Sequence, residues 1–418
     1  MRKFLIVLLI LVSEVFSETL TLKECIRKAL SSHPNIKSFI LKEMLAKENH
    51  KSDKSLKYPQ IQLHAKYDAS RTFILHKLNG FDTQNDSAWE IGATLKQNIW
   101  DFSQKENKIK ASEISRQIAK LSLKDAKNLI AFKVKTLYLQ LIFDKKSIEV
   151  RKTDLKAKKS FYEQAKALKK EGLKTDADVF RFSAALYKAR SLLDKSENEF
   201  LKTKKELELY INEKIPKSVS LEDKILEQKE NMQLKDLKKL LLNENLSLKE
   251  VEKETQKNIY EYKSAKAQKY GSFDLTASYS RNEALFNYDS SAVGIYYSLP
   301  LFTGGKLKAQ EEKAKISRMI SKEKLESLKL ELLNELNSLF LDLKSLNSTI
   351  KASLMEIKAL KKTKKIIFAR YKAGLATYME VLDSQALLSE GYLSLLKAKY
   401  EKSVIISKIK YLTGQENE

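Results

Sequence analysis

Two short segments place acidic side chains where a long helix must restart after a tight turn. In "KAGLATYMEVLDSQ", Gly374 suits a left-handed helix end, and Thr377 with Glu380 three residues later forms a capping-box pattern. In "KEGLKTDADVF", Gly172 and the run "TDAD" ending at Asp178 repeat that arrangement. Such carboxylates accept hydrogen bonds from the first unpaired N–H groups of a helix. The chemistry predicted at both turns is helix capping and local electrostatics.

The other reactive side chains are too scattered for catalysis or metal binding. The only cysteine, Cys25, cannot form an intramolecular disulfide and falls on a predicted helix, where we expect a buried, inert thiol. No phosphate-binding loop is present. The four histidines lack metal-ligand spacing: His33, His50, His64 and His76. We therefore expect neither an enzyme nor a bound cofactor.

The charge of the chain points first to an acidic partner. Its 78 Lys and Arg outnumber 54 Asp and Glu, which gives a formal net charge of +24. Such a balance suggests nucleic acid. However, the lysines are spread along every predicted helix among glutamates, and no zinc-finger spacing, aromatic RNA-binding motif or basic zipper is present. We expect solvated helix surfaces and no nucleic-acid partner.

The first residues have the pattern of a secretory signal peptide. A charged start, Met1-Arg2-Lys3, precedes the apolar run "FLIVLLILV", and small residues at Val15 and Ser17 favour cleavage after Ser17. The apolar run is too short to span a bilayer, which takes roughly 20 residues. The alternative is an N-terminal core helix. The signal-peptide interpretation predicts an exported chain.

Two stretches have helical periodicity over an unusual length. Apolar residues recur at three- and four-residue spacings from Gln104 to about Lys170 and from Lys306 to Tyr371. At about 1.5 Å per residue, each helix would be on the order of 100 Å long. Helices of that length need coiled-coil partners rather than one compact core.

The chain is also duplicated. "SAWEIGATLKQNIWDFSQ" aligns with "SAVGIYYSLPLFTGGK", with Gly92 on Gly294 and Trp100 on Phe302, and the same offset aligns "KEGLKTDADVF" with "KAGLATYMEVL". The first copy alone carries extra residues, in a predicted loop around "HKLNGFDTQND" (76–86). A constant offset over this length indicates an internal repeat of helix, strand, loop, strand, long helix, turn and helix.

Four stretches alternate apolar and polar side chains as β-strands do. Ile61, Leu63 and Ala65, for example, alternate with Gln62 and His64. Each stretch has about ten residues, the length of a transmembrane β-strand. Four strands cannot close into a membrane barrel, so several chains would have to share one. A soluble four-stranded sheet beside a coiled coil is the alternative.

The sequence thus predicts two repeats after a leader. The predicted parts are a signal peptide at 1–17, a first repeat at 18–211, a linker at 212–232, a second repeat at 233–414 and a short tail at 415–418. In the first repeat, strands are predicted at about 60–70 and 88–100 and helices at about 103–170 and 176–211. In the second, strands are predicted at about 272–281 and 291–301 and helices at about 305–371 and 377–413.

At this level the chain resembles the outer membrane efflux protein family, the TolC-like channels, over essentially the whole mature sequence. The order, spacing and duplication of four segments carry the resemblance: "LTLKECIRKALSSHPNIK" (20–37), "LKQNIWD" (95–101), "YSLPLFTGGK" (297–306) and "RYKAGLATYMEVLDSQALL" (370–388). The resemblance implies a mainly α fold with β-strands. In a homotrimer, four strands per chain would make a twelve-stranded barrel in the outer membrane, and the coiled-coil helices would form an α-barrel tunnel across the periplasm.

The resemblance also assigns the strand-to-helix junctions. Trp100 in the first copy, and Pro300, Gly304 and Gly305 in the second, would mark where a lipid-facing strand becomes a tunnel helix. Proline offers no strand hydrogen-bond donor, and glycine permits a sharp change of direction. The linker at 212–232 would lie in a belt around the middle of the tunnel.

The helix turns near Gly172 and Gly374 would then form the closed periplasmic tip. In the family, acidic residues of the "DVLDA"-like segment ring the aperture, and they match Glu380 and Asp383 here. Three residues apart, the two lie on one helix face. A trimer would place six carboxylates around one cation-attracting constriction.

The same resemblance implies a lock for the closed state. An aspartate of the first turn would interact with a tyrosine and an arginine of the second, and Asp178 and Tyr371 match the first two. The third position is Ala376, so the arginine is missing, and Lys372 or Lys174 is the available substitute. We expect a weaker and more salt-sensitive lock than in relatives with the arginine.

The function implied is passive export. The channel would contact outer-membrane lipid and dock through a periplasmic adaptor protein onto an inner-membrane transporter, in a tripartite efflux or type I secretion system. The alternative is an exported structural coiled-coil protein that binds acidic partners. The four alternating strands favour the channel, and binding to nucleic acid would weaken steeply as salt rises.

Overall fold

A computed structural model describes residues 19–76, 80–216, 220–222, 233–283 and 287–415. The predicted signal peptide, much of the predicted linker and the end of the tail lie outside these ranges. Within them the fold is mainly helical with one four-stranded antiparallel sheet. The predicted fold class is confirmed at this level.

The elements follow each other in the order of the predicted repeat. The first copy contains β1 (Thr19–Leu20), α1 (Leu22–Ser32), α2 (Pro34–Ser55), β2 (Gln60–His76), β3 (Gly80–Trp100), α3 (Gln104–Lys170) and α4 (Asp176–Ile211). Strand β4 (Ser220–Leu221) lies between the copies, and the second copy contains α5 (Leu234–Glu244), α6 (Leu246–Ala267), β5 (Ser272–Glu283), β6 (Asn287–Ser298), α7 (Lys306–Lys372) and α8 (Tyr378–Leu412). Helices α3 and α7 each have 67 residues. No helix of the described ranges combines the length and apolar character that crossing a bilayer requires.

The chain divides into two compact units. The first unit takes the segment up to Lys37, Ala126–Asn245 and the chain from Leu332 onwards. The second takes Ser38–Asp125 and Leu246–Glu331, and it contains the whole four-stranded sheet. Both repeats contribute segments to both units, so each unit is assembled from the duplicated halves together.

The sheet in the second unit has the order β2-β3-β5-β6, with every neighbouring pair antiparallel. The inner pair β3–β5 joins the two repeats, and the outer strands β2 and β6 each pair on one side only. Apolar side chains of these outer strands stay largely exposed, for example Leu63 at 81% and Val293 at 77%. The sheet therefore has two unpaired edges and an exposed apolar surface.

The strands differ in length from the prediction. The predicted loop at 76–86 is wrong for His76 and for 80–86, because the ladder of β2 and β3 continues from Ser70 opposite Asp86 to His76 opposite Gly80. Residues 77–79 of that loop lie outside the described ranges. The extra residues of the first copy therefore lengthen a hairpin. Strand β6 begins earlier than predicted and ends at Ser298, two positions before Pro300, since proline cannot donate to the ladder.

In the first unit, a buried tyrosine connects the N-terminal strand to the segment between the repeats. Strands β1 and β4 pair in parallel, Thr19 with Ser220 and Leu20 with Leu221. The hydroxyl of Tyr138 on α3 donates to the Leu20 carbonyl at 2.7 Å and accepts from the Glu222 amide at 2.9 Å. The start of the described chain is thereby fixed against a long helix.

Candidate functional site

The acidic residues of the two helix turns are held in reciprocal capping boxes, as predicted. The Thr175 hydroxyl accepts from the Asp178 amide at 3.3 Å, and the Asp178 carboxylate accepts from the Thr175 amide at 3.0 Å. In the second copy, the Thr377 hydroxyl accepts from the Glu380 amide at 3.3 Å and the Glu380 carboxylate accepts from the Thr377 amide at 2.7 Å. Each carboxylate also accepts from its threonine hydroxyl at 2.9 Å. The duplicated turns thus fix their carboxylates identically.

Both preceding helices end at a left-handed glycine, as the sequence predicted for Gly374. Gly172 has φ 75° and Gly374 has φ 76°. The Leu173 amide donates back to the Leu168 carbonyl and the Leu375 amide to the Arg370 carbonyl, each at 2.9 Å. This backbone pattern is the Schellman motif. It provides hydrogen-bond donors for carbonyls of the last helical turn while the chain reverses direction.

Behind the two turns, the helices meet in an aromatic cluster that the sequence analysis did not identify. Phe182 of α4 lies within aromatic contact of Phe161, Tyr371 and Tyr378, with ring centroids 6.2, 5.8 and 6.3 Å apart. The rings of Phe161 and Phe368 are 5.0 Å apart. Helices α3, α4, α7 and α8 therefore share one small core at this end. Aromatic residues on both sides of each turn were the available signal, but their convergence depends on tertiary packing.

Tyr371 is at the centre of this cluster and is only 1% exposed. Its hydroxyl has no hydrogen-bond partner among the described residues. Burial, reinforced by the negative charge of Asp178, raises the pKa of Tyr371 to about 12. The structure thus brings Asp178 into the electrostatic field of Tyr371 but without a hydrogen bond between them, since the Asp178 carboxylate is engaged by Thr175.

Cations surround the turns although the expected arginine is absent. Ala376 is buried in the aromatic cluster, where an arginine would have to bury its charge. The ammonium of Lys174 lies 4.7 Å from the ring centroid of Tyr371, whereas Lys372 lies over Phe368 at 5.1 Å. Of the two substitutes considered, Lys174 is therefore the one that contacts the tyrosine. Arg370, which the sequence analysis did not single out, donates to the Leu375 carbonyl at 3.2 Å.

Glu380 and Asp383, the two predicted aperture residues of α8, differ in their hydrogen bonding. Glu380 is exposed, and the hydrogen bonds from Thr377 hold its pKa below the usual range. Asp383 is also exposed, and within the described ranges it makes no hydrogen bond or ion pair. Asp383 is thus the carboxylate that remains available to ions in solution.

The strand-to-helix junctions, which belong to the second unit, are also duplicated. Two consecutive left-handed residues precede each long helix: Phe102 and Ser103 before α3, with φ 55° and 66°, and Gly304 and Gly305 before α7, with φ 59° and 85°. The sequence predicted this turn only for the glycine pair. The first copy takes the same path with side chains that disfavour it.

The residue before each left-handed pair caps the long helix. Asp101, which is buried, accepts from the Lys105 amide at 3.0 Å through its carboxylate, and Thr303 accepts from the Leu307 amide at 3.5 Å through its hydroxyl. In the first copy, Phe102 packs between Trp100 and Tyr270, with centroid distances of 6.1 and 5.3 Å. Trp100 thus ends β3 in edge contact with the ring of Phe102.

The described residues were also examined for side chains that could bind a metal ion or act as a nucleophile. Within the ranges that the structure describes, no group of three or more His, Cys, Asp and Glu side chains is arranged to hold a metal ion. Cys25 is buried, and burial raises the pKa of its thiol to about 12. The features that could act are therefore the acidic turns, the junctions and the sheet edges.

Comparison with known proteins identifies the class. The sequence profile of the outer membrane efflux protein family matches residues 25–213 and 237–415, one stretch in each repeat. The chain belongs to this family, whose members are outer membrane channels rather than enzymes.

Particular relatives agree with this assignment. The outer membrane protein TolC of Salmonella enteritidis is 27% identical over 132 residues, and that of Escherichia coli is 27% identical over 148 residues. These alignments cover 32% and 34% of this chain but only 27% and 30% of the relatives. The crystal structure of the outer membrane protein VceC of Vibrio cholerae superposes with a TM-score of 0.84 at 17% identity, covering 94% of this chain and 96% of VceC. The likeness to VceC shows a shared fold.

Proposed function

We propose that three copies of this chain form a passive exit duct of a tripartite efflux or type I secretion system. A periplasmic adaptor protein and an inner-membrane transporter would deliver the substrate, and the duct would carry it across the outer membrane. Membership of the outer membrane efflux protein family supports a conduit.

The observation that carries the proposal is the open sheet. Strands β2 and β6 are paired on one side only, although both expose apolar side chains. In lipid, each unpaired backbone N–H or C=O group would cost several kcal/mol. Pairing β6 of one copy with β2 of the next removes both edges, and three copies would supply twelve strands.

Apolar outward positions fit the same assembly. Ile61 is 71% exposed and Ile295 is 67% exposed in the single chain, and both lie on the outer strands. Exposed apolar side chains on this scale indicate a surface that another molecule or lipid covers. Outer-membrane lipid against one face of the shared sheet would account for them.

We assign the periplasmic aperture to the two helix turns. Asp383 and Glu380 of each copy would ring the opening, and the aromatic cluster around Tyr371 would hold the hairpins closed. Because Glu380 is engaged by its capping box and Asp383 is not, Asp383 would contribute more to cation preference. The many cations nearby, among them Arg370 and Lys174, would moderate that preference.

Cysteine crosslinking between the outer strands tests the assembly. With Leu63→Cys on β2, a second cysteine is placed in turn at Val293, Ile295 or Tyr297 on β6, and the protein is oxidised in its membrane. A disulfide requires Cα atoms about 4.4–6.8 Å apart, so at least one pair should form a bond between copies. The expected product is a covalent series of two and three chains.

Two controls define the result. Cysteines at Leu95 and Ala277, which face each other on β3 and β5, should crosslink within one chain and leave its mass unchanged. Leu63→Cys alone reports whether the native Cys25 contributes, which its burial argues against. If every β2–β6 pair stays monomeric while the control pair closes, the shared sheet is excluded.

A further inference from the structure

The first unit contains a cavity that the channel function does not explain. It has a volume of 380 Å³ and lies between α3, α7 and α8. Leu388, Tyr392 and Leu396 supply part of its apolar wall. A cavity of this size is within the range that holds small organic ligands.

The polar rim of the cavity is predominantly positive. Lys146, Lys364 and Lys399 line it, and Glu149 is the one acidic side chain in the lining. Neither Lys364 nor Lys399 forms an ion pair within the described part of the chain. Burial lowers the pKa of Lys364, and an anion beside it would offset that effect. The rim is therefore suited to a negatively charged group.

One residue that lines the cavity carries a buried acceptor without a donor. Gln385 is 2% exposed and lines the cavity. Its side-chain nitrogen donates to the Asp154 carboxylate at 2.8 Å and to the Ser389 hydroxyl at 3.1 Å. Because Asp154 can only accept, the amide orientation is fixed, and the Gln385 oxygen Oε1 has no donor within the described residues.

Asp154 itself is fully occupied by this chain. Ser389 donates to it at 3.0 Å, and its second oxygen pairs with Lys158 at 3.0 Å. Within the buried network, Lys158 therefore balances the charge of Asp154. The Gln385 oxygen is the acceptor of this network that still lacks a donor. A buried acceptor without a donor is unfavourable, and a donor from a ligand hydroxyl would relieve it.

We propose that this cavity binds a small amphipathic organic anion that carries a hydroxyl group. The apolar body lies against Leu388, Tyr392 and Leu396, and the anionic group pairs with Lys364 and Lys399. The Gln385 side chain shifts so that its buried oxygen accepts from the hydroxyl. The lining described here is supplied by α3, α7 and α8 of one chain.

Binding of 6-hydroxy-2-naphthoate to the purified full-length protein tests the proposal. Titration calorimetry in mild detergent, with protein-free micelles as the blank, should give one saturable site per chain. Lys364→Gln should weaken binding on the order of tenfold, because it removes a charge-assisted contact. Lys362→Gln is the matched control, since Lys362 is an exposed lysine of the same helix outside the cavity.

A ligand pair tests Gln385 without altering the protein. 2-Naphthoate, which lacks the hydroxyl, should bind several-fold more weakly to the wild-type protein. Equal affinity for both compounds, equal losses in both lysine variants, or no saturable binding would each overturn the proposal. Native mass and helix content of each variant confirm folding, and saturable binding to a monomer would reject the trimeric duct while retaining this site.

Discussion

The ring of Tyr371 packs edge-on against Phe182, with their centroids 5.8 Å apart and the tyrosine hydroxyl buried without a partner in the described residues. Phe182 comes from the first repeat and Tyr371 from the second. The contact therefore joins the two duplicated hairpins through apolar packing, at the place where the family resemblance led us to expect a polar lock.

Removing the tyrosine hydroxyl should not weaken the hairpin. Because a buried unpaired hydroxyl is unfavourable, Tyr371→Phe should leave the free energy of unfolding unchanged or raise it by up to about 1 kcal/mol. Tyr371→Ala should lower it by about 3–5 kcal/mol, since it empties the aromatic cluster. Denaturant unfolding compares both variants with wild type. A loss above 1 kcal/mol in Tyr371→Phe would show that the hydroxyl is hydrogen-bonded after all.

The raised pKa of Tyr371 also predicts that the protein loses stability at alkaline pH. Its pKa is raised from about 10 to about 12 in the fold, so the stability that it contributes is complete below pH 10 and is lost as pH rises from 10 towards 12. Tyr371→Phe should remove this part of the loss. Unfolding midpoints between pH 9 and 12 measure it, and Tyr187→Phe, at an exposed tyrosine, is the control. Parallel curves for Tyr371→Phe and wild type would contradict the account.

The capping box of the second turn predicts that the start of α8 loses stability at acidic pH. The pKa of Glu380 is lowered in the fold by the hydrogen bonds from Thr377, so its contribution is present above the unfolded value of about 4.3 and is lost as pH falls through the lowered value. Amide exchange at Glu380, whose N–H donates to Thr377, should accelerate over that window relative to the intrinsic rate. Glu380→Gln should abolish the pH dependence. Thr363→Ala, on an exposed stretch of α7, should leave the exchange at Glu380 unchanged.

The left-handed residues before α3 and α7 predict that exchanging serine and glycine there has opposite effects on the free energy of unfolding. Ser103 has φ 66°, so Ser103→Gly relieves an unfavourable conformation and should maintain or slightly raise stability. Gly305 has φ 85°, so Gly305→Ser should cost roughly 1–2 kcal/mol. Denaturant unfolding in detergent compares the pair. Equal losses in both variants would mean that the backbone conformation is not the deciding factor.

The proposed aperture predicts that substitutions of Asp383 and Glu380 differ in their effects on ion selectivity and on the stability of α8. Asp383→Asn should reduce the preference for cations in planar-bilayer recordings without changing helix stability, because its carboxylate is unoccupied. Glu380→Ala should reduce cation preference and also loosen α8, because it removes the acceptor of the capping box. Glu390→Gln, further along α8, is the charge-matched control. If Glu390→Gln alters selectivity as much as Asp383→Asn does, the constriction is not at this turn.

Closure is tested in the first turn. Asp178→Ala should raise the conductance of the closed state and make it more dependent on salt, because it removes both the cap and the charge near Tyr371. Thr175→Ala removes the threonine side of the same cap and keeps the charge. If Thr175→Ala raises the closed-state conductance less than Asp178→Ala does, the difference between the two variants is due to the charge of Asp178. An unchanged closed conductance in Asp178→Ala would reject its role in the lock.

Local chemistry explains which features could be predicted from the sequence. The capping boxes and the glycine helix ends depend on residues within a few positions of each other, so the patterns "TYME" and "TDAD" were sufficient. The long helices were predictable because their apolar periodicity continues for many turns. The repeat boundaries, the signal peptide and the aperture roles of Asp178, Tyr371, Glu380 and Asp383 stay predictions.

Features set by tertiary packing could not be predicted in this way. Polar residues at 76–86 have the composition of a loop, yet ladder pairing carries the strands through most of this stretch. Phe102 and Ser103 give no turn signal, and only the duplication aligned them with Gly304 and Gly305. The convergence of Phe161, Phe182 and Tyr371 requires helices far apart in sequence to meet.

The native mass of the protein after extraction from membranes in mild detergent tests the trimeric duct most directly. Mass photometry or light scattering with the detergent contribution subtracted should give three chains, and release from the membrane should require detergent. A monomer or dimer released into aqueous buffer without detergent would contradict the shared sheet and favour the structural coiled-coil alternative.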